Sequence, residues 1–225
     1  FEIARLQGYS TNLKHIPFGL MKFGEGTIMS TKEGQVISLK ALLNEAEDKA
    51  YQVLNETNYS ESQKREIARV VGISAIKYQD LCQNPSTDIT FTWEKALNLE
   101  GNSAPYLLYA YARIQAIYRK YKDQIGELSI DTHIKISTEI EKDLCLQLFR
   151  LKDTVQLARE NCRPNLLADY IYQLSSLFAS FYNQVSILRA ETPELRNSRM
   201  ALALLTARVL KKGLNILGLE TLDRM

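Results

Sequence analysis

Residues 15–36 hold the densest set of groups able to act on phosphate, with Gly19, Gly24, Gly26 and Gly34 placed around Ser30, Thr31 and Lys32. Backbone N–H groups in a Gly-rich loop, two hydroxyls and one ammonium are donors that can close over an anion. Gly-rich loops with a lysine are common and most bind nothing, so the loop alone assigns no activity. A second concentration lies downstream, where Tyr106, Tyr109, Tyr111, Tyr118 and Tyr121 alternate with Arg113, Arg119, Lys120 and Lys122. Rings that stack on bases and cations that meet phosphates suit unpaired RNA. Helical spacing puts Tyr111 and Tyr118 on the Leu107/Ile114 face, where core packing is the expected role. Tyr106 and Tyr109 stand at a helix N-terminus that also favours phosphate.

These groups need elements to hold them. Gly-dense, loop-and-strand composition runs over residues 8–38, and an amphipathic helix follows from the N-cap Ser38, with Leu39, Leu42, Leu43, Ala46, Ala50, Val53 and Leu54 on one face. A Ser60-x-x-Gln63 capping box opens a second helix, which Gly72 is expected to end. Asn84-Pro85-Ser86-Thr87-Asp88 marks a turn, and Ile89, Phe91 and Trp93 alternate as in a short strand. The tyrosine-bearing helix runs from Ser103, with Pro105 in its first turn, to about Tyr121. Further helices open at the Thr138-x-x-Glu141 box, at Pro164 (to about Tyr182) and at Pro193 (to Leu217), and Gly218 supplies a left-handed cap. Leu174, Leu177, Phe178, Phe181 and Tyr182 are expected to line a bundle core. Arg196, Arg199, Arg208, Lys211 and Lys212 read as a solvated face balanced by Glu191 and Glu194. The chain should be mainly α, with very little strand.

Composition sets outer limits. With 225 residues, 45% of them hydrophobic and 24% charged, the chain is long enough for two small domains with a real core. A net charge of +2 neither requires nor excludes nucleic acid, since binding depends on a local patch. No apolar run approaches the roughly 20 residues that span a bilayer, so no membrane role is expected. Cys82, Cys145 and Cys162 are an odd number without a CxxC pair, and His15 and His133 have no partner pattern. Buried free thiols and no metal site are expected. Phe1-Glu2-Ile3-Ala4-Arg5-Leu6 reads like the middle of a helix, as in a fragment of a longer protein.

Order of residues adds what composition cannot. Met29-Ser30-Thr31-Lys32-Glu33-Gly34 resembles the second signature, KMSKS, of class I aminoacyl-tRNA synthetases in its arginyl variant. The likeness extends through Gly72-Ile73-Ser74-Ala75-Ile76-Lys77-Tyr78, then residues 100–113 (Glu100-Gly101-Asn102-Ser103 onward), and finally residues 218–225, all similar to arginyl-tRNA synthetases in the expected order. Ile28 stands where the first signature lysine belongs and Thr31 replaces the second, leaving Lys32 as the only cation in the motif.

The resemblance implies a helical-bundle anticodon-binding domain at residues 96–225. Ahead of it would come the end of a class I Rossmann-type catalytic domain at residues 1–47 and a connecting, stem-contacting region at residues 48–95. It implies a cytoplasmic arginine–tRNA ligase that uses ATP with Mg, arginine and tRNA for arginine, and binds neither membrane nor DNA. Lys32 and Ser30 would be the catalytic contacts in an ATP loop of Met29, Ser30, Thr31, Lys32 and Gly34. Asn102, Tyr106, Tyr109, Arg113 and Met225 would meet the anticodon region. Without the first signature, HIGH, and a complete nucleotide-binding unit, this chain alone should bind no cofactor and be inactive. Two other readings remain open here: a cysteinyl-like class I synthetase, which would keep a standard KMSKS, and a non-enzymatic helical interaction domain.

Overall fold

The computed structural model describes residues 1–23, 27–28, 38–54 and 57–225. It is predominantly helical. A short helix α1 (Glu2–Leu6) and an extended stretch lead to strand β1 (Met21–Phe23), which pairs antiparallel with β2 (Thr27–Ile28). Its other edge pairs parallel with β3 (Ile89–Phe91), Met21 opposite Ile89, so the small sheet has the order β2-β1-β3. Asp88 fastens the join, accepting from the Leu20 N–H at 2.9 Å and pairing with Lys22 at 2.8 Å. The alternating Ile89, Phe91, Trp93 pattern is only partly strand: Trp93 instead begins the short helix α4 (Trp93–Ala96), capped by the Thr92 hydroxyl.

Between the strands lie α2 (Leu39–Val53) and α3 (Glu61–Leu81), started by Ser38 and by the Ser60/Gln63 box as the sequence indicates. Gly72 does not end α3. It lies at the closest approach of the two helices, where an added Cβ would sit 2.6 Å from the Ala46 carbonyl carbon and oxygen. A bare α-carbon is needed for contact with the neighbouring backbone, and that requirement placed the glycine inside the helix.

The bundle follows: α5 (Ala104–Ile125), α6 (Glu139–Phe149), α7 (Leu151–Asn161), α8 (Pro164–Gln184) and α9 (Pro193–Ile216). Caps by Ser103, Thr138 and Thr192 and early prolines set the starts of α5, α6 and α9, satisfying first-turn N–H groups that have no helical partner. Two apolar clusters result. The larger gathers Tyr78, Leu107, Ile114, Leu144, Ile171, Phe178 and Leu210 from α3, α5, α6, α8 and α9. The smaller holds Leu42, Ala46, Ala75, Ile76, Phe91 and Ala96. Helix α3 supplies residues to both, Ile67, Ala68, Val70, Val71 and Tyr78 on one side, Ala75 and Ile76 on the other.

After α9 the chain turns at Gly218, whose φ of +73° lies in the left-handed region. The tail is then tied down on two sides. On α3, Lys77 donates to the Gly218 carbonyl at 2.9 Å and Arg69 pairs with Glu220 at 2.8 Å. On α5, Tyr111 donates to the Asp223 carboxylate at 3.0 Å and Arg119 to the Asp223 carbonyl at 2.9 Å. Tyr111 is buried as expected; burial, and after it the Asp223 carboxylate, push its phenol up to about 12. The three cysteines are unpaired but half-buried rather than buried. Among the described residues no helix is long and apolar enough to cross a membrane.

Candidate nucleic-acid interface

Helix α5 presents one polar-aromatic face. Tyr106, Tyr109 and Arg113 follow at intervals of three and four, the spacing that stacks side chains along a helix. The Arg113 guanidinium lies 5.0 Å from the Tyr109 ring centre and 5.1 Å from that of Tyr182, and it donates to the Tyr109 hydroxyl at 3.3 Å. A cation over two ring faces is attracted by their negative π clouds. Arg113 is thereby held where both rings border the same opening.

That opening is a groove of about 1070 Å³. One wall is α5, with Tyr109, Arg113, Arg119 and Lys120; a second is residues 182–189, where the chain leaves α8; Arg224 and Met225 of the fastened tail form a third. Among the described residues of the lining, five cations, Arg113, Arg119, Lys120, Arg189 and Arg224, stand against one carboxylate, Asp123. The groove alone thus carries more positive charge than the +2 net charge of the whole chain. A concave surface combining such a cluster with exposed rings can hold phosphates and stack bases.

The structure brings Tyr109, Arg113 and Met225 together at this groove. Tyr106 is half-buried against α8 instead, its ring 5.7 Å from that of Tyr172 and its hydroxyl 3.4 Å from that of Ser176. Asn102 is exposed just ahead of the Ser103 cap, with its side-chain oxygen accepting from the buried Tyr78 hydroxyl. Met29, Ser30, Thr31, Lys32 and Gly34 lie outside the described residues. Among the described residues no group of His, Cys, Asp and Glu could hold a metal ion.

Two sequence expectations are corrected. Tyr182 is not a core residue: it is 38% exposed and lies on the groove, because α8's apolar stripe ends at Phe181. Arg199 is not on a solvated face but is 6% exposed, in an ion pair with Glu141 from a helix 58 positions earlier. Tyr118 is half-buried, stacked on the buried Tyr121 with ring centres 6.4 Å apart. Tyr59, Tyr182, Arg189 and Arg224 are groove residues that sequence reasoning missed as binding candidates. For Arg224 the signal was its place beside Met225; for Tyr59 and Arg189, in irregular segments, there was none.

Comparison with known proteins finds two family matches along the chain. Residues 107–225 match the family model of the DALR anticodon binding domain, and residues 1–93 match that of the class I (R) tRNA synthetase catalytic domain. The arginine–tRNA ligase of Fusobacterium nucleatum is 46% identical over all of this chain, which covers 40% of that protein. Among solved structures, the arginyl-tRNA synthetase of Thermus thermophilus is similar over 92% of this chain and 35% of its own length, with TM-score 0.82 and 29% identity. That of Plasmodium falciparum is similar over 94% of this chain and 35% of its own, with TM-score 0.78 and 26% identity. This chain therefore spans about two fifths of the length of the curated relatives it matches. Its helical half, matched over more than half of the chain, gives it membership: the chain belongs to the DALR anticodon binding domain family, in the form that arginyl-tRNA synthetases carry.

Proposed function

We propose that this chain is the tRNA-reading part of an arginine–tRNA ligase and that the groove between α5, residues 182–189 and the tail receives the anticodon region of tRNA for arginine. The observation that carries the reading is the pair of rings, Tyr109 and Tyr182, around Arg113 within a lining of five cations. Bases stack on the rings, and the cations neutralise the backbone. Asn102 and Tyr106 extend the contact toward the start of α5. Residues 96–225 then form the anticodon-binding unit, residues 1–47 the end of the catalytic domain and residues 48–95 the region between.

In the longer protein the carboxylate of arginine attacks the α-phosphate of ATP, giving arginyl-adenylate and pyrophosphate, and the arginyl group passes to the terminal ribose of tRNA. Such displacements depend on positioning and charge. Ser30 and Lys32, in the loop from Met29 through Thr31 to Gly34, would close over the ATP phosphates. Magnesium accompanies ATP, and among the described residues no group of His, Cys, Asp and Glu could hold it. The site of action is the cytoplasm. Since both signatures must surround one ATP, the isolated chain should give no arginine-dependent ATP–pyrophosphate exchange.

The test is filter binding of this chain to tRNA for arginine and to an unrelated tRNA, with the isolated anticodon stem-loop as competitor. Preference for the first, lost on adding the stem-loop, supports the reading. Equal binding, or none displaced by the stem-loop, overturns it.

A further inference from the structure

Glu141 and Arg199 stand behind the groove with side chains 1% and 7% exposed. Both oxygens of the carboxylate are engaged: one accepts from Arg199 Nε at 2.8 Å, the other from the Ser137 N–H and hydroxyl at 2.6 and 2.8 Å and from the Thr138 N–H at 3.0 Å. Stability alone does not call for the arginine, since well-packed apolar residues replace buried ion pairs at little or no loss. The capping box of α6 needs only the second oxygen. What Arg199 adds is a further donor. Its Nη1 donates at 2.9 Å to the carbonyl of Ser186, two residues beyond the end of α8 in the groove wall.

Ser186 passes the constraint on, as its hydroxyl accepts from the Arg189 N–H at 3.1 Å. Between them Ile187 is 3% exposed and seats the turn on the core. Three successive hydrogen bonds thus connect a buried carboxylate to a cation on the groove. The side chain of an exposed arginine keeps its rotamers, but a fixed backbone sets the point from which it reaches into the groove and spares binding the cost of ordering the turn. We infer that Arg199 is a positioning residue for RNA: by drawing the Ser186 carbonyl inward it holds the 186–189 turn so that Arg189 meets a backbone phosphate of RNA in the groove. This rests on the RNA reading given above.

The experiment measures the affinity of the full chain for the anticodon stem-loop of tRNA for arginine against salt concentration. Arg189→Ala should reduce the slope of log affinity against log salt by about 0.7, one phosphate contact on a single strand. Ser186→Ala, at an exposed position where folding is not at risk, should reproduce part of that loss. The double variant Glu141→Gln with Arg199→Met keeps the cap acceptor without leaving a buried charge, and should lose as much as Arg189→Ala. Adding Arg189→Ala to the double variant should then change the slope little further, and adding it to Ser186→Ala should only bring the loss up to that of Arg189→Ala alone, which a merely structural role would not produce. An unchanged slope in Ser186→Ala, or a full extra loss on combination, overturns the positioning role. Should wild type fail to bind, or Arg113→Ala leave its slope untouched, the RNA reading itself falls. A normal Arg113 effect with silent Ser186→Ala and Arg189→Ala rejects this inference alone.

Discussion

The buried phenol of Tyr78 donates to the side-chain oxygen of Asn102 at 2.5 Å, so the outward-facing part of that exposed amide is its NH₂ group. Asn102 therefore offers donors to whatever approaches the start of α5. Asn102→Asp keeps an acceptor for Tyr78 while turning the outward donor into an anionic oxygen. Stability should change by no more than about 0.5 kcal/mol, as for most surface substitutions, whereas binding of tRNA should weaken through repulsion of phosphate. Tyr78→Phe should cost about 1 kcal/mol in urea denaturation, one net hydrogen bond. Undiminished tRNA affinity in Asn102→Asp would place Asn102 outside the contact surface.

Tyr109→Ala and Tyr182→Ala should each weaken binding of the anticodon stem-loop by about 1–3 kcal/mol, the value of one stacked base. Arg113→Ala should instead show chiefly as a shallower salt dependence. Both rings are exposed, so circular dichroism should match the parent. Variants that fold normally and bind with parental affinity and slope would move the recognition surface elsewhere on the bundle.

Gly72→Ala forces a methyl group to 2.6 Å from the Ala46 carbonyl, and neither atom is at the end of a flexible side chain. The α2–α3 pair must separate, with a loss of about 1–3 kcal/mol or more, despite the better helix propensity of alanine. A denaturation midpoint at or above that of the parent would show that the helices can shift freely.

Glu141 titrates below its ordinary value of 4.5. Burial by itself pushes the carboxyl up, but the Arg199 guanidinium and the Ser137 N–H and hydroxyl together outweigh it. A group whose folded pKa is depressed contributes stability above its unfolded value, and that contribution disappears as pH falls from about 4.5 through the depressed value. Thermal melts between about pH 7 and about pH 3 should therefore show a smaller acid-induced drop for Glu141→Gln than for the parent. Parallel curves would mean that Glu141 is not a source of the acid sensitivity.

Local chemistry was legible and distant chemistry was not. Ser38, Ser60, Ser103, Thr138 and Pro193 marked helix starts because capping and φ restriction act within a few residues, and Gly218 marked its left-handed turn for the same reason. Gly72 gave the same signal for a different cause, since a helix–helix contact with Ala46 demands the missing side chain. Arg199 looked solvated because Glu141 lies in another helix, and Tyr182 looked buried because nothing local shows where a core-facing stripe stops. The stripe of Tyr109 and Arg113 was visible from spacing. The two other walls of the groove come from residues about 70 to 115 positions away, which only the fold brings near.

Helix α3 belongs to both apolar clusters, and this bears on how the molecule opens as well as how it holds. A helix flanked by one cluster can fray when that cluster loosens; α3 must lose both before its central amides reach water. The residues from Ile67 to Tyr78 are then expected to be the slowest-exchanging stretch, with opening free energy near that of global unfolding. The small sheet on one side and the far helices of the bundle on the other would each be able to breathe without the other, whereas α2, which adds Ala50 to the larger cluster and Leu42 and Ala46 to the smaller, moves with α3. The two halves are thereby joined into one cooperative unit even though their cores do not merge.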